Sequence, residues 1–206
     1  MTIKIGINGL GRIGRMLIRA IIESKNDNIE IKHINNRSNS EVACSLLKHD
    51  SVHGKFNASI SCDDNSLIIN KKKISYSQET DIKNIQWKKF NVDYVFECTG
   101  KFNSKDKLMS HIKNGAKKII VSAPCKSADK TIVYGVNENM ISKNDKIISA
   151  ASCTTNCLAP VSYVLNENFG IEKGFMTTIH AFTSDQRILD NSHKDPRRAR
   201  SASQSI

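Results

Sequence analysis

The sequence lacks the features that would mark a membrane, secreted or metal-binding protein. No apolar run approaches the roughly eighteen residues that a membrane-spanning helix requires. The first residues, MTIKIGINGLGR, do not follow the charged and then apolar pattern of a secretion signal. The six cysteines form no Cys-x-x-Cys pair and no cysteine–histidine cluster at zinc-finger spacing. We therefore expect a cytoplasmic protein without a metal ion, in which most thiols are packed and inert.

Acidic residues are few relative to basic ones, with 20 Asp and Glu against 31 Lys and Arg and a net charge of +11. A chain this basic often binds nucleic acid. Here, however, the lysines are dispersed, and few aromatic side chains lie between them to stack on bases. We therefore expect a solvated basic surface that attracts phosphorylated small molecules, and neither a membrane nor a nucleic acid as the main partner.

Repeats and low-complexity linkers are also absent from the 206 residues, and most of the chain alternates between strand and helix patterns. This alternation predicts an α/β fold, a Rossmann-type doubly wound and mainly parallel sheet. Short alternating pieces within 56–76 predict small antiparallel strands inserted into that frame. Ser40 is the predicted N-cap of the second helix. The predicted strands are 3–9, 29–34, 92–100, 117–124, 131–137 and 146–152, and the predicted helices are 12–24, 40–48 and 104–113.

The last quarter of the chain predicts the start of a second domain. Residues 153–168 have a helical pattern with Pro160 early in it, 174–182 predict a strand, and a long polar and basic loop follows. We divide the chain into a first domain, 1–151, and the first part of an α+β domain, 152–206. About 55 residues lie at the lower edge of what folds independently, so we expect the remainder of this second domain to be missing.

The stretch NGLGRIG places Gly9, Gly11 and Gly14 between the first predicted strand and the first predicted helix. In that position Gly-x-Gly-x-x-Gly is typical of a dinucleotide-binding turn. The first glycine makes the turn, the second lets a pyrophosphate approach the backbone, and the third lets the helix pack closely on the strand. The N-terminus of the helix then faces the phosphates with its unpaired N–H groups.

An acidic residue is missing where such folds use one to bind a ribose hydroxyl, about 20 residues beyond the turn. The position, 36 − 14 = 22 residues after Gly14, holds Asn36, and Arg37 follows it. Asn36 keeps the capacity to hydrogen-bond but has no charge, and Arg37 is able to turn towards a phosphate. We therefore expect NAD as the cofactor, with weakened discrimination against NADP.

The stretch SAASCTTNCLAP predicts the end of a strand and then a helix with Cys153 in its first turn. The dipole and unpaired N–H groups of a helix N-terminus favour a thiolate. The hydroxyls of Ser152 and Thr154 are able to bind an anion at the same place. His180, at the end of the later predicted strand, is the candidate base and ion-pair partner of the thiol. Cys157, one turn further along, is expected to be a packed thiol.

Four stretches, INGLGRIGR, SCTTNCLAP, TTIHAFTSDQ and HKDPRRAR, together resemble phosphorylating glyceraldehyde-3-phosphate dehydrogenase, and HDSVHGKF, ECTGKF and VSAP fit the same family. The motifs run in order from residue 3 to the end of the chain. The resemblance implies oxidation of glyceraldehyde 3-phosphate to 1,3-bisphosphoglycerate, with inorganic phosphate as second substrate and NAD as hydride acceptor. It implies that Cys153 attacks the aldehyde to give a thioester and that His180 activates the thiol.

The resemblance also implies a set of binding residues and an assembly. Loop 183–200 resembles the S-shaped loop that packs against a neighbouring subunit in this family, which implies a homotetramer. Thr80 stands where the family commonly has Arg or Lys beside the adenine. The implied phosphate contacts are Ser152, Cys153, Thr154, Thr183 and Arg198, and the implied cofactor contacts are Gly9, Gly11, Arg12, Ile13, Gly14, Asn36, Thr80, Thr99, Gly100, Phe102 and Ser122.

Two alternatives stay open on the residues alone. Erythrose-4-phosphate dehydrogenase shares the thiol and the histidine, and RSASQSI is mildly similar to it, whereas Thr183 and the AFTSDQ context favour the triose enzyme. A non-catalytic nucleotide- or RNA-binding fragment is the other alternative, because the catalytic domain of the family is longer than residues 152–206. For the same reason we expect this chain by itself to be inactive or nearly so.

Overall fold

The structure is a computed structural model and describes residues 2–203. Contacts group the residues through Val164 into one compact unit and those from Leu165 onwards into another. The elements are β1 (Ile3–Asn8), α1 (Arg12–Glu23), β2 (Ile29–Asn35), α2 (Ser40–Lys48), β3 (His49–Asp50), β4 (Gly54–Lys55), β5 (Ile60–Asp63), β6 (Ser66–Ile69), β7 (Lys72–Ser77), β8 (Tyr94–Glu97), α3 (Lys105–Lys113), β9 (Lys118–Val121), β10 (Lys130–Thr131), β11 (Ile147–Ser149) and α4 (Cys153–Phe169). Four short 3₁₀ helices cover Ile82–Asn84, Trp87–Phe90, Glu138–Met140 and Pro196–Arg198.

One sheet organises the first unit, and its strand order is β10-β11-β9-β8-β1-β2-β7-β6-β5. The central strand β1 runs parallel to β2 on one side and to β8 on the other. Only the pairs β5–β6 and β6–β7 of this sheet are antiparallel. The chain leaves β1 towards one side and later returns to the other, so the order reverses at β1, where such sheets bind ligands. The predicted doubly wound α/β sheet is confirmed, and the antiparallel strands extend it as an edge.

The core lies on both sides of β1. The last four residues of that strand, from Ile5 to Asn8, are all buried, as expected for a central parallel strand covered on both faces. Ile18 of α1 and Leu47 of α2 pack with Ile5 and Ile7 of this strand in one continuous cluster. The buried strand ends bring their polar terminal residues to one edge of the sheet, and that edge carries the cleft described below.

Three local predictions were wrong. The cap of α2 is Asn39, whose Oδ1 accepts the Val42 N–H at 3.0 Å, so Ser40 is the first residue inside the helix. The predicted strand 131–137 is a strand only at its start in β10. Beyond it the chain turns, because Asn137 Oδ1 accepts the Val133 N–H at 2.8 Å and Gly135 has a φ of +81°.

The predicted strand 174–182 is also wrong, and no strand pairs with this segment among residues 2–203. A strand is stable only beside another strand, and the apolar and β-branched residues of GFMTTIHAF supply no partner by themselves. Phe175 and Ile179 are accordingly exposed. The long loop that follows is confirmed as largely irregular as far as residue 203, with a 3₁₀ turn at Pro196–Arg198 and an isolated bridge between Arg187 and Ser201.

Membrane-spanning helices and metal-binding clusters are both absent from residues 2–203. None of the helices in that range has both the length and the apolar character needed to cross a membrane. Within the same range, no group of three or more His, Cys, Asp or Glu side chains is arranged to hold a metal ion.

Candidate functional site

The turn between β1 and α1 has the geometry that a dinucleotide pyrophosphate requires. Gly9 has a φ of +96°, a conformation that other residues rarely adopt. A Cβ built on Gly14 would lie 2.0 Å from the Gly9 carbonyl oxygen, so the helix and the turn are in direct contact there. A Cβ on Gly11 would meet nothing within 4 Å, which leaves open space above the backbone. No side chain caps α1 and no acid lies in its first turn, so the helix N-terminus is open to an anion.

A cleft of about 340 Å³ opens from this turn along the carboxyl ends of β1, β2 and β8. Its size is at the lower end of what ligand pockets usually have. Its lining carries two cations, Arg37 and Lys101, against one anion, Glu79. The lining residues are Asn8, Gly9, Leu10, Gly11, Asn35, Asn36, Arg37, Ser38, Glu79, Thr80, Ile82, Ile85, Cys98, Thr99, Lys101 and Phe102.

Six of the eleven predicted cofactor residues therefore line the cleft, namely Gly9, Gly11, Asn36, Thr80, Thr99 and Phe102. The other five, Arg12, Ile13, Gly14, Gly100 and Ser122, lie on the segments next to it. The Arg12 guanidinium donates to Asp50 Oδ2 at 3.3 Å. Ser122 follows β9 and donates its N–H to the Glu97 carbonyl at 3.0 Å. The open turn, the uncapped helix and the lining together fit a bound dinucleotide.

Asp50 anchors the first turn of α1 from outside the cleft. Its carboxylate accepts the backbone N–H groups of His53 and Val52, both at 3.0 Å, and pairs with Arg12 and Arg15. These contacts, the N–H of His53 first, hold the pKa of Asp50 well below its usual range. The carboxylate therefore stays ionised and fixes both guanidinium groups beside the glycine turn.

Asn36 is tied to the glycine turn itself. Its Oδ1 accepts the Leu10 N–H at 3.1 Å, and its Nδ2 donates to Ser38 Oγ at 2.7 Å. The Tyr76 hydroxyl donates to the Ser38 carbonyl at 2.6 Å on the other side of the same segment. The residue that stands in the place of the missing acid thus links the end of β2 to the loop that would hold the pyrophosphate.

A buried polar network below the cleft was not predicted. Asn8, Asn35 and Glu97 are the last residues of β1, β2 and β8, and the register places Asn8 beside both of the others. Asn8 Nδ2 donates to Glu97 Oε2 at 2.6 Å, and Asn35 Nδ2 donates to Asn8 Oδ1 at 2.9 Å. Glu97 Oε1 accepts the Thr99 N–H at 2.8 Å. The signal in the sequence was a polar residue closing each of three apolar strands.

His111 of α3 completes this network and has a defined tautomer. The Trp87 indole N–H, which only donates, lies 2.8 Å from His111 Nδ1. His111 Nδ1 is therefore the acceptor, and its Nε2 carries the proton that is donated to Glu97 Oε2 at 3.0 Å. Glu97 thus accepts hydrogen bonds from β1, from α3 and from the segment after β8, and it fixes Thr99 at the wall of the cleft.

A buried thiol lies at the same edge of the sheet. Burial raises the pKa of Cys98 to about 12, and the hydrogen bond from the Ser122 hydroxyl opposes this only in part. Cys98 is therefore a neutral thiol in the cleft wall and no nucleophile.

The candidate catalytic thiol lies at the start of α4. Ala151, just before it, has a φ of +60°, which turns the chain sharply out of β11. Ser152 Oγ then accepts the Thr155 N–H at 3.0 Å, as an N-cap does. Asn156 Nδ2 donates to the carbonyls of Ala150 and Ser152 at 2.8 and 2.9 Å and ties the helix to that turn. Cys153 is consequently held in the first turn, and its side chain is exposed.

Cys157, predicted to be packed, is instead exposed on the same helix, so that prediction was wrong. The predicted helix 153–168 is confirmed as Cys153–Phe169, and Pro160 lies inside it. No residue of α4 is buried, and apolar side chains such as Val161 and Phe169 are exposed with Cys157. Cys157 is exposed because no other described element covers this surface of α4.

His180, Thr183 and Arg198 belong to the second unit and are described within it. His180 Nδ1 lies 2.6 Å from the Ala181 carbonyl, which only accepts, so Nδ1 carries a proton. The Asp185 N–H donates to Thr183 Oγ1 at 3.3 Å, and the Asp185 carboxylate pairs with the Arg198 guanidinium. Asp185 therefore brings Thr183 and Arg198 to one place. The pairing of His180 with Cys153 stays a prediction.

Comparison with known proteins gives one consistent result. The family described as glyceraldehyde 3-phosphate dehydrogenase, NAD binding domain, matches residues 3–105, and the C-terminal domain of the same family matches residues 152–206. Glyceraldehyde-3-phosphate dehydrogenase 2 of Bacillus subtilis is 49% identical over 207 aligned residues, covering 100% of this chain and 60% of the relative. The Geobacillus stearothermophilus enzyme is also 49% identical, with 100% and 61% covered.

A third relative gives the same result. Glyceraldehyde-3-phosphate dehydrogenase of Thermotoga maritima is 47% identical over 203 residues, covering 98% of this chain and 61% of the relative. The chain thus spans about 60% of the length of the curated relatives it matches. Both family domains and the identity along the whole chain lead to one conclusion: this chain belongs to the glyceraldehyde-3-phosphate dehydrogenase family.

Proposed function

We propose that the protein takes part in the oxidation and phosphorylation of glyceraldehyde 3-phosphate, with Cys153 as the nucleophile and NAD as the cofactor. The observation that carries this proposal is the exposed Cys153 in the first turn of α4, directly after the Ser152 cap. A thiol in that position has its thiolate favoured by the helix dipole. Family membership and the open glycine turn support the same assignment.

The chemistry assigned to the chain is covalent capture of the aldehyde. The Cys153 sulfur attacks the aldehyde carbon, a C–S bond forms, and the carbonyl oxygen becomes a hydroxyl. NAD, when bound, supplies the oxidation by accepting a hydride. Inorganic phosphate then attacks the thioester carbon, and the C–S bond breaks. The phosphorylated product leaves, and the Cys153 sulfur returns to a thiolate.

His180 is proposed as the base in this sequence. Because Nδ1 carries the proton that bonds to the Ala181 carbonyl, Nε2 is the basic nitrogen of the neutral ring. We assign Nε2 the proton of the thiol, which it passes to the carbonyl oxygen as the C–S bond forms, and then the proton of the resulting hydroxyl when the hydride leaves. The Nδ1 hydrogen bond fixes the ring orientation, as a third group does in other nucleophile–base pairs.

We propose that the anionic groups of the substrates bind to Ser152, Thr154, Thr183 and Arg198. Arg198 already pairs with the Asp185 carboxylate, and the Thr183 hydroxyl accepts the N–H of the same residue. A phosphate would therefore replace the Asp185 carboxylate on a guanidinium that is already arranged to bind an anion. We further propose a homotetramer, which the exposed Ile188 and Leu189 of loop 183–200 support.

Alkylation of the two α4 thiols tests the role of Cys153, because Cys157 is an exposed thiol on the same helix. The helix N-terminus is worth about 0.3–1 kcal/mol to a charged group, or roughly a two- to fivefold larger thiolate population. We expect iodoacetamide to modify Cys153 at least that much faster than Cys157 at pH 7, as measured by peptide mass spectrometry.

Glyceraldehyde 3-phosphate provides the second arm of this experiment. The aldehyde should slow the alkylation of Cys153 and leave the alkylation of Cys157 unaffected. In the Cys153→Ser variant the aldehyde-sensitive alkylation should be absent, and the alkylation of Cys157 should continue unchanged. Equal rates at the two thiols, without protection by the aldehyde, would show that Cys153 is an ordinary surface thiol.

A further inference from the structure

The segment Asn36-Arg37-Ser38 lines the cleft where the adenosine ribose of a dinucleotide would lie. In folds of this type an acid at the first of these positions binds the ribose hydroxyls, and an arginine nearby accommodates a 2′-phosphate instead. Here the acid is absent and the arginine is present. The side-chain contacts of this segment show how the absent acid and the present arginine would affect a bound dinucleotide.

The Asn36 side chain is neutral and already engaged by the protein. Its Oδ1 accepts the Leu10 N–H at 3.1 Å, and its Nδ2 donates to Ser38 Oγ at 2.7 Å. Ser38 Oγ is the acceptor in the second contact, so its own hydroxyl proton remains to be donated. A carboxylate at position 36 would only accept and would take that proton. The amide therefore turns Ser38 into a donor, which is what a phosphate requires.

Arg37 supplies a positive charge at the same wall. Its side chain is exposed, and none of the ion pairs among residues 2–203 involves it. The opposing charge in the lining is Glu79, and Lys101 is the second cation, so the lining has a formal charge of 2 − 1 = +1. An aspartate at position 36 would reduce this to zero and place the new charge next to the ribose.

We propose that this cleft binds dinucleotides that carry a 2′-phosphate, NADP as well as NAD, and that Arg37 and Ser38 bind that phosphate. The proposal rests on the dinucleotide site proposed above. NAD retains the backbone N–H groups of the glycine turn and the uncapped N-terminus of α1, and the Leu10 contact of residue 36 needs only an acceptor oxygen. NADP gains the guanidinium and the serine hydroxyl, so the two cofactors bind with comparable affinity.

Calorimetric titration of the 206-residue chain with NAD and with NADP tests this proposal without any turnover. We expect the two dissociation constants of the wild type to agree within about tenfold. Asn36→Asp should weaken NADP binding at least tenfold and leave NAD binding equal or tighter, because the charge repels only the 2′-phosphate. Arg37→Ala should weaken NADP binding at least tenfold and leave NAD binding unchanged.

Asn39→Asp is the matched control for the added charge. It lies outside the cleft lining, and a carboxylate caps the N-terminus of α2 as well as the amide does. It should change the ratio of the two affinities less than threefold. Two results together would overturn this proposal but not the dinucleotide site. The wild type would bind NADP a thousandfold more weakly than NAD, and Asn36→Asp would not alter the ratio of the two affinities. Failure of both dinucleotides to bind would overturn the dinucleotide site as well.

Discussion

The glycine turn gives a sharp prediction, because two glycines three residues apart have different surroundings. A Cβ at position 14 would lie 2.0 Å from the Gly9 carbonyl oxygen, and real Cβ atoms essentially never approach closer than 3.0 Å. Gly14→Ala therefore forces a separation of at least 3.0 − 2.0 = 1.0 Å between backbone atoms of α1 and of the turn. At position 11 the same methyl group meets nothing within 4 Å.

The expected magnitudes follow from these distances. Overpacking costs about 1–3 kcal/mol, and a clash with backbone belongs at the upper end, about 3 kcal/mol. The better helix propensity of alanine offsets about 1 kcal/mol, so Gly14→Ala should lower the free energy of unfolding by about 2 kcal/mol. For a chain of this size that corresponds to a fall of roughly 4–8 °C in Tm. Gly11→Ala should cost less than about 1 kcal/mol, since only the weak cap preference of glycine is lost.

Cofactor binding should distinguish the two variants in the opposite way. The methyl group of Gly11→Ala occupies the space above the backbone where a pyrophosphate would approach, so NAD affinity should fall at least tenfold in a protein of nearly normal stability. Urea denaturation measures the free energy of unfolding of each variant, and calorimetric titration measures its NAD affinity. A Gly14→Ala protein as stable as the wild type, or a Gly11→Ala protein with normal NAD affinity, would refute this account of the turn.

Two further predictions concern buried polar groups. Burial, with a smaller contribution from Lys89, lowers the pKa of His33 to about 4. Between pH 6.5 and 4 the unfolded chain therefore binds a proton at this histidine that the folded chain does not bind. Stability should therefore fall by about 3 kcal/mol as the pH drops through that range, and His33→Gln should flatten this slope in urea denaturation. Glu97→Gln should destabilise by about 2–4 kcal/mol in the same assay, because its amide nitrogen faces donors such as Asn8 Nδ2 and His111 Nε2. A Glu97→Gln protein with normal stability would show that the network is not closed as described.

The framework of the first unit could be predicted because its signals are local. An apolar strand followed by Gly-x-Gly-x-x-Gly and a 3.6-residue periodicity specifies β1, the turn and α1 without knowledge of any other segment. The helix that begins at Cys153 was found in the same way. The cap of α2 shows the limit of such signals, since Asn39 and Ser40 are both good caps and only the backbone decides between them.

Strands were harder to predict because each depends on a partner. The segments 131–137 and 174–182 are both rich in apolar and β-branched residues, yet the first folds back through Asn137 and the second has no neighbouring strand among residues 2–203. The polar network was missed for a related reason. Asn8 and Glu97 are 89 residues apart, and they meet only because β8 returns beside β1. Nothing in either strand alone predicts that contact.

The glycine turn and residue 36 would bind different parts of the dinucleotide, the pyrophosphate and the adenosine ribose, so cofactor choice should be easy to alter. The turn would bind the pyrophosphate through backbone N–H groups, which no side-chain substitution at position 36 removes. The structural contact of Asn36 is made by its Oδ1, which accepts the Leu10 N–H. An aspartate has an oxygen in the same position, so exchange of the two residues preserves that bond. The exchange changes the charge beside the ribose and the direction of the Ser38 hydroxyl, and it leaves the fold intact. A difference in cofactor preference between the wild type and the Asn36→Asp variant would therefore report recognition of the 2′-phosphate and no loss of stability.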